Sequence, residues 1–148
     1  MAKSVVCILV ALTVMSASLA LAGGTAAEAE AMVPKALELI KSQGKDAAFK
    51  AFTGKAEGFA KDDLYIFVVQ YDGLTVAHGG NDKLVGKNMK ELKDADGKLF
   101  IQAMIEKAQA GGGWVDYKWT NPETKKVQDK STYVMPVEGM DAFVGCGI

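Results

Sequence analysis

Apolar positions between Thr25 and Gly44 fall at Ala29, Met32, Val33, Ala36, Leu37 and Ile40, the three-and-four spacing of one helix face. Thr25 followed by Glu28 supplies a capping box at its start, and Ser42-Gln43-Gly44 a stop. Pro34 lies inside the pattern and predicts a kink or the true first turn. A short helix follows over residues 46–52, ended by Gly54. Residues 64–71 (LYIFVVQY), rich in branched and aromatic side chains, predict a largely buried strand. Asp72-Gly73 turns it into a returning strand over 74–78. Residues 79–96 have no clean period and carry several glycines, so they predict a long connection with one helical turn near 88–92. Residues 98–110 form a third helix, ended by Gly111-Gly112-Gly113. Strands follow over 114–120, 127–137 and 142–148, with turns at Asn121-Pro122-Glu123 and Glu138-Gly139. In the first of these, alternation puts Val115, Tyr117 and Trp119 on one face and Asp116 and Lys118 on the other. Short links make neighbouring strands antiparallel, and the fold class is α+β: a five-stranded antiparallel sheet with the long helix first and helices on its faces.

The segment before this pattern has a different character. Lys3, an uncharged apolar run over 5–14 and the ending Ala20-Leu21-Ala22 describe a secretory signal peptide of 22 residues. Its removal leaves 126 of the 148 residues, residues 23–148, carrying one domain over residues 25–148, in the periplasm. Retained, the 18 uncharged residues from Val5 to Ala22 would serve as a membrane anchor. Cys7 falls in this segment, which leaves Cys146 alone in the mature chain, inside an apolar strand and expected to be buried and inert.

Charge and chemistry exclude several classes. All 17 basic residues are Lys, and the net charge of −1 gives no basic face for nucleic acid. One His and one mature Cys fall short of a zinc ligand set, and no haem-attachment motif, Walker loop or dinucleotide fingerprint is present, so no metal or cofactor is expected. Asp94-Ala95-Asp96-Gly97 has the opening of a calcium loop, but Ile105 stands where its closing Glu belongs; it predicts a turn and a helix N-cap. No nucleophile is paired with a base, and the chain is not expected to be an enzyme. What remains is an aromatic and cationic set: Trp114, Tyr117, Trp119, Lys130 and Tyr133, with His78 at a strand end. Such a set suits a small anion, an apolar wall taking the alkyl part while phenol, indole N–H and ammonium take a carboxylate. With no Arg, the charge must come from Lys. Strict alternation separates Lys130 from Tyr133, so both reach one pocket only if their strand bulges.

An ordered series of short motifs carries a family resemblance. Tyr71-Asp72-Gly73, Ala77-His78-Gly79-Gly80-Asn81 and Leu84-Val85-Gly86-Lys87-Asn88 open it. Leu92-Lys93-Asp94, Asp96-Gly97-Lys98 and the run from Gly113 to Pro122 continue it. Lys130-Ser131-Thr132-Tyr133-Val134 and Val144-Gly145-Cys146-Gly147-Ile148 close it. Together they resemble the single-Cache type 2 sensor domain across most of the mature chain. The resemblance implies a PAS-like fold with a small-molecule pocket under the long loop, and ligands such as acetate, propionate, pyruvate or lactate. By position it nominates His78, Tyr117, Trp119, Lys130 and Tyr133 as ligand-binding, with Trp114 and Lys87 beside them.

Relatives of this kind form the outer part of chemoreceptors and histidine kinases. This sequence shows no second membrane segment or output domain after its last strand, so a free-standing binding protein acting with a separate membrane-bound receptor or kinase is expected. The alternative is an interaction module that forms homodimers through the first helix around a vestigial pocket.

Overall fold

A computed structural model describes residues 23–120 and 125–148. The expected signal segment, and the Asn121–Glu123 turn, lie outside the described residues. Three helices, α1 (Ala26–Gln43), α2 (Lys45–Thr53) and α3 (Phe100–Gln109), pack on one antiparallel sheet. Its strands are β1 (Ala60–Lys61), β2 (Leu64–Gln70), β3 (Thr75–His78), β4 (Gly113–Thr120), β5 (Val127–Pro136) and β6 (Ala142–Gly147). The spatial order is β3-β2-β6-β5-β4, and the two-residue β1 pairs with the start of β2 on the same edge as β3. The five expected strands are therefore present, with β1 added. Among the described residues no helix is long and apolar enough to cross a membrane.

Helix α1 begins on the expected capping box. Thr25 Oγ1 accepts from the Glu28 N–H at 3.3 Å and Glu28 Oε2 accepts from the Thr25 N–H at 2.9 Å. The Lys61 ammonium on β1 and these Thr25 bonds hold the Glu28 carboxyl at about 2. Pro34 does not mark the first turn; the helix runs through it. Proline deprives the carbonyl four residues back of its donor, and here both Pro34 and Glu30 are exposed, where water replaces the lost bond. On the inner side Ala29, Val33 and Ala36 are fully buried, and their small size seats the helix close against the sheet.

Both faces of the sheet are covered, and β2 shows it best. Leu64, Ile66 and Val68 join the core under α1 and α2, while Phe67 and Val69, with half-buried Tyr65, join the core under α3. Strand β6 divides likewise, Ala142, Val144 and Cys146 on one side and Phe143 on the other. Gly145 has a steric reason: a Cβ there would stand 2.6 Å from the Phe67 ring, which lies across β6 at that point. Cys146 is fully buried as expected, beside Met32 Sδ at 3.9 Å, and burial pushes its thiol up to about 11.

Two sequence expectations need correction in the connection over 79–99. Its regular turn is a 3₁₀ turn at Asp82–Leu84, capped by Asn81 Oδ1, and not a helical turn over 88–92. Asp94 does not cap α3, whose N-cap is Leu99. Its carboxylate accepts from the Asp96 and Lys98 N–H groups and, across the fold, from the Lys118 N–H at 3.0 Å. These bonds, that of Lys118 foremost, hold its carboxyl below the usual range. The Lys98 ammonium donates to the Asp116 carbonyl. The turn thus covers the outer edge of β4, which would otherwise present unpaired backbone groups.

At the other edge the β2–β3 register shifts between Val68↔Ala77 and Val69↔Thr75, a bulge at Val76. Thr75 is fully buried, and its hydroxyl is without a partner among the described residues. A buried hydroxyl left unpaired costs about 1–3 kcal/mol of desolvation. Thr75→Val keeps the shape and deletes that cost, so it is expected to raise stability by about 1 kcal/mol in urea unfolding. A loss of stability instead would mean that the hydroxyl is hydrogen-bonded.

Candidate functional site

The α3 face of the sheet holds a small, partly open cavity of about 20 Å³. Strands β2 and β3 contribute Tyr65, Phe67, Val69 and His78; β4 contributes Tyr117 and Trp119. Phe100, Ile101 and Met104 of α3 and Met89 of the connection form the opposite wall. Outside it lies an open groove of about 730 Å³ bordered by Thr53, Lys55, Gly79, Gly80, Asn81, Asp82 and Lys83. Tyr65, His78 and Trp119 line both spaces, so these three side chains form the partition between cavity and groove.

Ring packing fixes this wall. Phe100 stacks on Tyr117 at 4.7 Å with nearly parallel planes and meets Trp119 edge-on at 6.4 Å. His78 forms a three-ring cluster with Tyr65, 5.1 Å away, and Phe67, 5.6 Å away. Gly80 makes room for the Tyr65 ring, which a Cβ there would meet at 2.5 Å.

His78 is held at both ends of its residue. Its backbone N–H donates to Thr53 Oγ1 at 3.2 Å, and its ring Nδ1 accepts from the Asn81 N–H at 2.9 Å. An accepting Nδ1 leaves the ring proton on Nε2. Burial pushes the imidazole down to about 4, so it is neutral at pH 7. Burial raises the Tyr65 and Tyr117 phenols, which stay protonated. Tyr117 Oη lies 3.2 Å from Thr132 Oγ1. The polar tips on the cavity wall are therefore two phenols, an indole N–H and an imidazole, each carrying a hydrogen to donate; among the described residues no carboxylate and no lysine lines it.

The sequence-nominated residues divide accordingly. His78, Tyr117 and Trp119 meet at the cavity. Tyr133 and Trp114 do not: the β4–β5 register runs without a shift, so they face each other on the α1 side. Their rings are 5.4 Å apart, and Trp114 Nε1 donates to Glu30 Oε1 of α1 at 2.8 Å. Lys130 pairs with Tyr117 across the strands but borders a different, open groove with Asp94, Asp96, Asp116 and Asp129. Tyr117 separates that groove from the cavity. Lys87 is exposed; its carbonyl accepts from the Thr75 N–H, and it lines none of these spaces. The expected cation is thus absent from the cavity wall.

Tyr65, Met89, Phe100 and Met104 were not nominated. For Tyr65 the signal was available: alternation along 64–70 puts it with Phe67 and Val69, opposite the Leu64 series.

A helix-covered antiparallel sheet with a small hollow beside a long connection defines a domain of PAS-like architecture. The chain belongs to the single Cache domain 2 family, whose model matches residues 3–148. It is 37% identical over 86 residues to the sensor histidine kinase MctS of Rhizobium johnstonii. That match takes in 58% of this chain but 19% of the kinase, so the chain spans about a fifth of that relative's length. Among solved structures it resembles a methyl-accepting chemotaxis protein from Vibrio parahaemolyticus RIMD 2210633, with a TM-score of 0.69 and 25% identity over 82% of this chain and 86% of that one. A Cache chemosensory domain solved for carboxylic acid recognition shares the fold, with a TM-score of 0.63 and 21% identity over 80% of this chain and 84% of that one. The protein is a Cache sensor domain homologous to those of chemotaxis receptors and histidine kinases.

The neutral, buried His78 makes stability depend on pH. Between its ordinary 6.5 and about 4, the unfolded chain takes up a proton that the folded chain refuses. Stability therefore falls as pH falls through this window, by about 3 kcal/mol in total from this residue. Asn at position 78 keeps an acceptor near the Asn81 N–H without a titrating ring. The urea midpoints of wild type and His78→Asn are expected to converge as pH drops from 7 to 4, wild type losing the more; parallel curves would contradict the assignment.

Proposed function

We propose that the domain is an exported, non-enzymatic ligand-binding module for short organic acids such as acetate, propionate, pyruvate or lactate, acting with a separate membrane-bound signalling partner. The observation that carries this reading is the chemistry of the cavity wall, where Tyr65, His78, Tyr117 and Trp119 offer donors and no carboxylate competes. A carboxylate accepts hydrogen bonds and donates none, so such a wall matches it in kind. Charge-assisted bonds of about 1.5–3 kcal/mol each offset part of the anion's lost hydration. The ligand enters from the outer groove past Tyr65, His78 and Trp119, and closing the 79–96 connection over it gives a partner a changed surface to read. Ligand drives that change only through its different affinities for the open and closed forms.

One observation favours a second reading. A hollow of about 20 Å³ is filled largely by the protein's own side chains, which suits a module that dimerises through α1 around a vestigial pocket.

Thermal melting separates the two. Residues 23–148 are expected to gain stability in millimolar acetate, propionate, pyruvate or lactate, by about 2.7 kcal/mol at a hundredfold excess over Kd. Tyr117→Phe and Trp119→Phe should each weaken binding about tenfold, the worth of one hydrogen bond. Lys130→Ala, which leaves the cavity wall intact, should bind as wild type does. No shift with any of these acids would favour the vestigial reading.

A further inference from the structure

The cavity has a direction. Its residues shared with the outer groove, Tyr65, His78 and Trp119, mark the mouth, and each has a polar tip. Away from the groove, Val69, Ile101, Met89 and Met104 are apolar, and Tyr117 is the one described residue there with a polar tip, its Oη 3.2 Å from Thr132 Oγ1. A short carboxylate entering through the mouth leaves its charged end among the donors and sends its alkyl tail toward the methionines. That orientation puts the polar group where hydrogen bonds are available and the methyl group where they are not.

The cavity is nearly full: its whole volume of about 20 Å³ holds one or two water-sized groups, so a methyl finds room and each further carbon has to displace a side chain. Val69 belongs to the central strand β2 and Ile101 to the first turn of α3, both nearly fully buried and branched at Cβ. Met104 on α3 and Met89 on the connection are the unbranched side chains there, with torsions that can swing aside or be shortened without moving the sheet.

We infer that Met89 and Met104 set the upper limit on ligand length, making this a site for monocarboxylates of up to three carbons in which each further methylene is resisted by methionine packing. The inference rests on the carboxylate reading above and adds the ligand's size class and the residues that impose it. It differs from a general preference for small acids because it assigns the limit to two replaceable side chains at the end opposite the donors.

The test is a chain-length series on the full chain. Affinities for formate, acetate, propionate, butyrate and valerate are measured at pH 7 by calorimetry, with wild type, Met89→Ala, Met104→Ala and Met104→Leu. In wild type, acetate is expected to bind at least tenfold tighter than butyrate. Either alanine variant should reverse or erase that ratio by admitting the longer tail, while Met104→Leu, which refills the space, should restore the preference for acetate. Met104 is fully buried, so if Met104→Ala fails to fold, the variant at the less enclosed Met89 decides. Equal wild-type affinity for acetate and butyrate, or an unchanged ratio in a folded alanine variant, would overturn the inference and leave the carboxylate reading standing. Absence of binding by every acid to every folded variant would overturn both.

Discussion

Alternation along strands that are covered on both faces is the constraint on which the rest of this structure depends. A sheet with α1 and α2 on one side and α3 on the other has no solvent face on its central strands, so β2 and β6 supply two cores from one run of residues. Each odd or even position is committed to one side, and a slip of one residue would exchange the cores. The cavity inherits this rule. Tyr65 and Phe67 reach it from β2 and Tyr117 and Trp119 from β4 because their parities agree with the α3 face. Trp114 and Tyr133 miss it because theirs do not. No bulge intervenes between β4 and β5 to reverse the assignment.

The same rule explains what could be read from the sequence. The α+β class, the order of helices and strands and the two-faced character of β4 follow from periodicity, which is local information. Burial of Cys146 followed from its apolar run, and the capping box from Thr25 and Glu28. The β1 strand escaped notice because two residues carry no period; Ala60 and Lys61 are a strand only because Tyr65 and Leu64 lie opposite them. Asp94 was misjudged for a related reason. Its sequence neighbours make it a cap for the next helix, whereas its second carboxylate oxygen accepts from Lys118, 24 residues away on the sheet edge. Long-range pairing of a loop carboxylate with a backbone N–H leaves no trace in spacing.

Charge was the least legible property of the site. An arginine-free chain with an anion-like aromatic set invites a lysine as the missing cation, and Lys130 stands on the correct face, paired with Tyr117. Face alone does not decide which compartment a flexible side chain enters. The Phe100 ring closes over Tyr117 and completes the cavity wall, while Lys130 borders the neighbouring open groove together with four aspartates. Placing that ammonium in a hollow of about 20 Å³ would strip its hydration in the ligand-free state, a cost of several kcal/mol with no anion to offset it.

A neutral wall has consequences for a sensor. Donors on phenol, indole and imidazole groups are present whether or not a ligand is bound, and they carry no net charge that must be compensated in the empty domain. On the proposed reading, an anion held by such groups would gain hydrogen bonds but lack a full counter-charge, which would keep affinity modest and exchange rapid. His78 fits this arrangement through its partner: with Nδ1 tied to the Asn81 N–H, only the Nε2 proton is free to face an anion. The bond that fixes the tautomer also anchors the start of the connection, since Asn81 caps the 3₁₀ turn through Lys83. On the proposed reading, a ligand at the His78 ring would be one hydrogen bond removed from the connection, a short mechanical path from binding to a change in surface.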